Sequence, residues 1–143
     1  MKIEDLLRGG RIRRQRVPED QIRRALERAQ RDLKTAKKIM AEDWDWGFAV
    51  AYDAILQASR ALMFVRGYRP ASAEAHKNTF AFLQAAMGKE FEDLATYFDR
   101  MRTKRNQAIY DVPGLITETE ARNLLARAEE FVAHVRELTG KRK

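Results

Sequence analysis

The sequence predicts an all-α protein, an up-and-down bundle of four to five helices. Helix-forming residues such as Ala, Leu, Arg, Glu and Lys are abundant, whereas there are only 7 Gly and 3 Pro. Apolar residues also recur every three or four positions in several segments, which is the period of an amphipathic helix. A chain of 143 residues is long enough for one core and too short for two. We therefore expect one helical domain over residues 18–140.

Positive charge is concentrated at the two ends of the chain, whose net charge is +7. Residues 1–17 hold six basic and two acidic side chains, and residues 141–143 are all basic, so residues 18–140 are charge-balanced. Gly9 and Gly10 interrupt a short helix-compatible piece near the N-terminus. We predict a basic N-terminal arm over 1–17 and a basic tail over 141–143. Both either contact phosphates or only keep the protein in solution.

Composition also excludes several classes of protein. The chain has no cysteine, so it forms neither disulfides nor thiolate metal sites. No apolar run approaches the roughly 20 residues of a transmembrane helix, and no apolar signal-peptide core is present. The two histidines, His76 and His134, lack the carboxylate spacing of a metal site, and His76 is expected to be a cap or surface residue. We expect a cytoplasmic protein with no metal, cofactor or membrane contact.

The first helix is predicted over about residues 18–42. Pro18 suits a first helical turn, and the two acidic residues after it complement the positive end of the helix dipole. Apolar residues then follow at alternating spacings of four and three from Ile22 to Met40. This spacing places them on one stripe of the helix.

The second helix, about 45–66, has two apolar faces. One carries mostly large side chains and the other carries small ones, which permit close approach of helix backbones. We therefore expect this helix at the centre of the bundle, and Gly67 to end it. The first face consists of Phe48, Tyr52, Ile55, Ser59 and Leu62, and the second of Gly47, Ala51, Ala54, Ala58, Ala61 and Val65.

Three further helices complete the predicted bundle. A third is expected over about 72–87 and a fourth over about 90–110, because glycine or proline follows each segment. Thr117 and Glu120 match the capping-box pattern, which opens a fifth helix over about 118–138.

The fourth predicted helix carries an arginine where its apolar pattern requires a core side chain. The apolar seam runs from Phe91 to Met101 at spacings of three and four, and the next seam position is Arg105. A buried arginine is costly unless it is paired. Arg105 therefore either forms an ion pair with a carboxylate on another helix, for instance Asp53, or belongs to a functional site.

Further polar residues lie close to Arg105 in the sequence. Arg102, Asn106 and Tyr110 are spaced at i, i+4 and i+8 and share a neighbouring helix face, and Asp111 follows directly. Arginine side chains bind phosphate groups through several N–H donors. Arg102, Arg105 and Asn106 are therefore candidate residues for binding a phosphate group or RNA.

This segment resembles the motif region of the HEPN family of bacteria and archaea, and the similarity covers about residues 18–138. The resemblance implies an up-and-down bundle, usually a homodimer in which the motifs of the two subunits approach each other. It also implies metal-free RNA cleavage by toxins that act beside a nucleotidyltransferase-type antitoxin. The matching residues are Arg105-Asn106-Gln107-Ala108-Ile109-Tyr110-Asp111, Phe48-Ala49-Val50-Ala51-Tyr52-Asp53-Ala54, Ser59-Arg60-Ala61-Leu62, Gly67-Tyr68 and His76-Lys77.

The sequence departs from the family's ribonuclease motif at one position. Ribonuclease members carry an arginine followed after four to six residues by a histidine, where this chain has Tyr110, Asp111 and Val112. An imidazole accepts a proton near neutral pH, whereas a phenol has an ordinary pKa of about 10 and is a poor base.

Three functions therefore stay open from the sequence. In the first, the protein binds RNA or a nucleotide phosphate at a dimer cleft, with weak or absent metal-free ribonuclease activity in a toxin–antitoxin or defence system. Arg105 then stabilises the charge on phosphorus, and Tyr110 or Asp111 carries the protons. In the second, a non-catalytic interaction module partners a nucleotidyltransferase. In the third, an accessory protein binds nucleic acid through its arginine arm.

Overall fold

The computed structural model describes residues 2–140, which form six α-helices and one two-stranded sheet. The predicted all-α helical bundle is confirmed. The basic tail predicted at 141–143 lies outside the described residues. In chain order the elements are α1 (Ile3–Arg8), β1 (Ile12–Arg14), α2 (Glu19–Met40), α3 (Trp44–Val65), β2 (Tyr68–Pro70), α4 (Ala75–Ala86), α5 (Lys89–Asn106), a π-helical turn (Gln107–Asp111) and α6 (Glu118–Gly140).

The five predicted helices correspond to α2 to α6, with ends that differ by a few residues. The largest difference is in the fourth, predicted over 90–110 as one regular helix. Its α-helical part ends at Asn106, and the rest is the π-helical turn. The predicted capping box is present, because Glu120 N donates to Thr117 Oγ1 and Thr117 N donates to Glu120 Oε1, both at 3.1 Å.

Helix α3 lies at the centre and packs against α2, α4, α5 and α6. Its small side chains allow the close approach that the sequence predicts, since a Cβ added at Gly47 would lie 3.0 Å from Met40 Cα. By length and composition alone, α3 is apolar enough to cross a membrane, although Asp53 and Arg60 interrupt its apolar run. Most of its apolar surface is buried by the other helices, as in the core helix of a bundle.

Residues 3–17 are packed into the domain, whereas the sequence predicts a separate arm over 1–17. Leu6, Ile12 and Val17 are buried, and β1 pairs antiparallel with β2, with Ile12 opposite Pro70. Ile3, Leu6 and Leu7 have helical spacing, but Ile12 and Val17 stand singly among basic and polar residues and belong to no periodic apolar pattern. For this reason the sequence did not reveal their burial.

Arginines of this N-terminal segment donate hydrogen bonds to residues of β2 and α4. Arg14 Nη1 donates to the Tyr68 hydroxyl at 2.9 Å, and Arg11 Nε donates to Asn78 Oδ1 at 2.8 Å. Tyr68 belongs to β2 and Asn78 to α4. These contacts help to fix the segment that connects α3 to α4.

A pair of carboxyl groups lies between α2 and α3. Asp32 Oδ2 and Asp53 Oδ2 are buried and have no hydrogen-bond partner within residues 2–140. Arg28 lies beside both, with Nε 3.1 Å from Asp32 Oδ1 and Nη2 3.7 Å from Asp53 Oδ2. Burial, together with the neighbouring Asp53 carboxyl, raises the pKa of Asp32 to about 7, although Arg28 opposes this effect. The pair therefore holds a proton below neutral pH.

We expect Asp32→Asn to stabilise the fold at high pH. The pKa of Asp32 in the folded protein, about 7, is above its ordinary value of 3.8. The stability that its protonated form contributes is therefore fully present below about pH 4 and is lost as the pH rises through about 7. The amide introduced by the substitution cannot ionise, so urea unfolding at about pH 8 should show a gain of about 1 kcal/mol or more over wild type.

Asp20→Asn, at an exposed carboxylate on the same helix, is the matched control. It removes the same negative charge without touching the buried pair. If both variants follow the pH dependence of the wild type, the Asp32–Asp53 pair does not hold a shared proton.

Candidate functional site

Arg105 lies on the last turn of α5 and is half-buried, as its seam position predicts. Its Cζ lies 5.9 Å from the centre of the Tyr52 ring of α3, and its Nη1 donates to Asn106 Oδ1 at 3.0 Å. Arg105 Nε is buried and has no hydrogen-bond partner within residues 2–140. An aromatic face and a neutral amide thus surround this guanidinium.

The ion pair with Asp53, which the sequence offered as one explanation of Arg105, is not formed. Asp53 instead lies beside Arg28 and Asp32. Across residues 2–140, no carboxylate forms an ion pair with Arg105. Because the guanidinium has five N–H donors, most of them remain available for an anionic ligand.

A π-helical turn follows α5 and carries the second half of the motif. Val112 N donates to Gln107 O at 2.7 Å, which is the i+5 hydrogen bond of a π-helix. Such turns are wider than α-helical ones and are frequent at functional sites. Here the turn brings Tyr110 and Asp111 to the same cleft as Arg105.

The chain after the π-helical turn is tied to the start of α3. Asp45 Oδ2 accepts a hydrogen bond from Gly114 N at 2.6 Å, and Asp45 Oδ1 accepts one from Ile116 N at 3.0 Å. Gly114 has a φ of 82°, which favours glycine. These contacts fix the end of the π-helical turn relative to α3.

The motif cleft lies between the end of α5 and the start of α4 and has a volume of about 490 Å³. All five residues that the sequence predicts for the site line it. Residues of α4 and of the segment before it form the opposite wall. The lining residues are Arg102, Arg105, Asn106, Tyr110 and Asp111 on one side and Ser72, Glu74, Ala75, His76 and Lys77 on the other.

His76 lines the motif cleft, although the sequence predicts a cap or surface residue. Its Nδ1 lies 3.2 Å from the hydroxyl of Tyr52, and the two rings are 5.9 Å apart between centres. Tyr52 therefore contacts both His76 and Arg105. The only sequence signal for His76 was its place in the family-like His76-Lys77 pair, since it is far from Arg105 along the chain.

The environment of His76 keeps its imidazole neutral at physiological pH. Burial lowers the pKa of His76, and the positive charges of Arg105 and Arg102 lower it further, while Asp53 partly opposes this. Burial also raises the pKa of Tyr52, so its hydroxyl stays protonated. A neutral imidazole beside cationic side chains is able to accept a proton from a bound ligand.

The other basic side chains of the cleft, Arg102 and Lys77, are paired. Arg102 Nε lies 2.9 Å from Asp99 Oδ1, and Lys77 Nζ lies 3.9 Å from Glu74 Oε1. Arg105 is therefore the cation of this cleft that has no carboxylate partner within the described chain. That same part of the chain contains no cluster of His, Asp and Glu able to hold a metal ion.

The comparisons with known proteins concern the whole bundle. A family model described as "HEPN domain" matches residues 22–138. This range includes most of α2, all of α3 to α5, both walls of the motif cleft and nearly all of α6. The resemblance seen in the sequence is thereby confirmed. No curated protein matches the chain.

We expect Arg105→Gln to raise the pKa of His76, because it removes a positive charge that disfavours the imidazolium. The pKa is measured by NMR titration of the imidazole signals, and His134 serves as an internal reference. Arg122→Gln, at an exposed arginine of α6, is the control and should leave His76 unchanged. An identical titration of His76 in wild type and Arg105→Gln would show that the two groups do not interact.

Proposed function

Because this chain belongs to the HEPN domain family, we propose that it binds a phosphate group of RNA or of a nucleotide in the motif cleft, as a homodimer. The functions of this family relate to nucleotides and RNA. The observation that carries the proposal is that Arg105, which has no carboxylate partner in the described part of the chain, and His76, a neutral imidazole, line the same cleft.

Phosphate binding rests on Arg105 and its two neighbours. The guanidinium presents a planar set of donors that fits phosphate oxygens, and the hydrogen bond from its Nη1 to Asn106 holds its orientation. Arg102 adds a second positive charge on the same wall. A volume of about 490 Å³ is in the range of small-ligand sites, so one nucleotide unit fits the cleft.

The same residues support metal-free cleavage of an RNA phosphodiester. The ribose 2′-oxygen attacks phosphorus while its proton passes to His76 Nε2, and the bond from phosphorus to the 5′-oxygen breaks. Arg105 stabilises the extra negative charge on the phosphate oxygens. Tyr110 gives the 5′-oxygen its proton. The products are a 2′,3′-cyclic phosphate and a free 5′-hydroxyl, and water restores the starting protonation states.

Tyr52 is the positioning residue for this proton transfer. When His76 Nδ1 donates to the Tyr52 oxygen, Nε2 carries the lone pair and is the proton acceptor. The imidazolium that forms keeps the same contact, because Nδ1 is still a donor. The 3.2 Å distance between the two atoms allows this hydrogen bond.

We expect purified protein to cleave single-stranded RNA in the presence of a metal chelator. Arg105→Ala should lower kcat by about 10²-fold or more, and His76→Gln by a similar factor or more. In wild type, kcat/KM should fall as the pH drops through a pKa below the ordinary histidine value of about 6.5, because the base must be neutral. His76→Gln should remove this fall of kcat/KM at low pH.

The control for this assay is Arg122→Ala, which removes an exposed arginine that pairs with Glu118. Its rate should equal that of wild type, and circular dichroism should show that all variants are folded. Cleavage at the wild-type rate by Arg105→Ala would remove the motif cleft from the mechanism. Binding of RNA without cleavage would restrict the function to phosphate recognition.

Exposed apolar side chains beside the cleft support the homodimer. Tyr110 is 73% exposed and Val112 48% exposed, and both belong to the motif region. Large apolar side chains of this kind are often covered by a partner. A second copy that packs here brings its own motif close to the first. A monomeric mass in sedimentation at micromolar concentration would contradict this part of the proposal.

The exposure of Tyr110 also favours a second candidate function, that of a target for a nucleotidyltransferase. The phenol oxygen then attacks the α-phosphate of a nucleoside triphosphate bound by the partner enzyme, the phenol proton passes to a base of that enzyme, and diphosphate leaves. Mass spectrometry after co-expression with such an enzyme should place the added nucleotide on Tyr110. Modification that persists in Tyr110→Phe would exclude this residue.

A further inference from the structure

A second basic pocket lies between α2, the end of α3 and β2, away from the motif residues. Its volume is about 680 Å³, which is larger than that of the motif cleft. Among residues 2–140, five arginines line it, whereas the only acidic lining residue is Glu27. Glu27 is itself paired with Arg23 at 3.2 Å. The arginines of this arginine pocket are Arg24, Arg28, Arg31, Arg60 and Arg69.

Three of these arginines have no carboxylate partner within residues 2–140. Arg28 lies beside the Asp32–Asp53 pair, and Arg24 lies 3.9 Å from Asp20. Such contacts are structural ion pairs and by themselves indicate no ligand. Arg31, Arg60 and Arg69 form no such pair, so ion pairing within the described chain does not explain their presence.

Arg60 and Arg69 are half-buried and are held by neutral groups. Their Cζ atoms lie 5.2 and 4.8 Å from the centre of the Phe64 ring. Arg60 Nη1 donates to Gln57 Oε1 at 3.5 Å, and Arg69 Nη2 donates to Gln21 Oε1. The two guanidinium groups are thus held around one aromatic ring, and neither forms an ion pair within residues 2–140.

This arrangement is costly in the absence of an anion. Arg69 Nε is buried and has no hydrogen-bond partner within residues 2–140. Burial lowers the pKa of Arg60, and the positive charge of Arg69 lowers it further, while the negative charge of Asp53 partly opposes this. Two like charges in a partly dry site repel each other. A bound anion would offset this repulsion and use their remaining donors.

The arginines of α2 extend this site along the helix axis. Arg24, Arg28 and Arg31 are at i, i+4 and i+7 and therefore lie on one face. At a rise of 1.5 Å per residue, they cover about 10 Å. A row of this length matches several successive phosphate groups better than one isolated phosphate.

We propose that the arginine pocket is a second phosphate-binding site, which holds successive backbone phosphates of the RNA strand that the motif cleft binds. This inference rests on the proposed function for the identity of the strand, but not for the presence of the site. The two sites are close enough for the positive charge of Arg60 to act on His76. The triphosphate of a free nucleotide shares the same chemistry and is tested separately.

The test measures affinity at the arginine pocket with an RNA that cannot be cleaved. Fluorescence anisotropy with a labelled, 2′-O-methylated single strand compares wild type with the double variant Arg60→Gln/Arg69→Gln. We expect its Kd to rise about tenfold or more. Its slope of log affinity against log salt should flatten by about 0.7 for each lost phosphate contact. In an RNA-cleavage assay at about pH 8, where His76 is neutral with or without the charge of Arg60, KM should rise while kcat stays unchanged.

The matched control is the double variant Lys37→Gln/Arg122→Gln. It removes two positive charges at exposed positions that pair with Glu129 and Glu118, outside the pocket. Its Kd should stay within about twofold of wild type. The single variant Arg31→Gln changes only an exposed side chain of the pocket. It should also weaken RNA binding, which keeps the test decisive if the double variant does not fold.

A second arm uses inorganic triphosphate in isothermal titration calorimetry with the same variants. A loss of RNA affinity in the pocket variants supports a site for RNA backbone. A loss for triphosphate alone supports a phosphate site whose occupant is a free nucleotide. Affinities equal to those of the control in both arms overturn the proposal. Arg105→Ala should lose cleavage and keep binding at this pocket, so the failure of either proposal is distinguishable from the failure of the other.

Discussion

Helix α3 is enclosed by α2, α4, α5 and α6, and the small side chains along it let these helices approach closely. A helix that is buried on nearly all sides has few places for polar groups, and each must find a partner. Three polar residues of α3 therefore belong to the motif cleft contacts, the buried carboxyl pair and the arginine pocket. Tyr52 contacts Arg105 and His76, Asp53 joins the carboxyl pair with Asp32, and Arg60 lies in the arginine pocket.

Arg105 shows how the bundle accommodates a charge at a core position. A carboxylate partner would stabilise the arginine and at the same time occupy its donors. The ring of Tyr52 and the amide of Asn106 stabilise it less completely. The guanidinium therefore keeps donors for a ligand, and its charge also lowers the pKa of His76. Because Arg105 has an aromatic face beside it in place of a carboxylate, it keeps free donors and its charge lowers the pKa of His76.

The segment between α3 and α4 connects the two basic regions. Arg69 lies in β2 and lines the arginine pocket, whereas His76 begins α4 and lines the motif cleft. Pairing of β2 with β1 fixes this segment. The residues before α2 thus help to position both regions, although none of residues 3–17 lines the motif cleft or the arginine pocket.

The sequence alone determined the bundle, because helical periodicity, caps and breakers act over a few residues. It placed α2 to α6 within a few residues of their ends, put α3 at the centre and singled out Arg105 by its seam position. It also grouped Arg102, Asn106 and Tyr110 on one face, and these residues do line one cleft. All of these patterns are local along the chain.

Only the tertiary structure decided which distant residues meet. The packing of α4 against α5 brings His76 beside Arg105, and β-pairing over more than fifty residues buries Ile12 against β2. Tyr52 and Asp53 are successive residues of α3 and point in different directions around its axis. The rotation of α3 about this axis therefore decides which of the two contacts Arg105. Such contacts join segments far apart in the chain, and a single sequence carries no periodic signal for them.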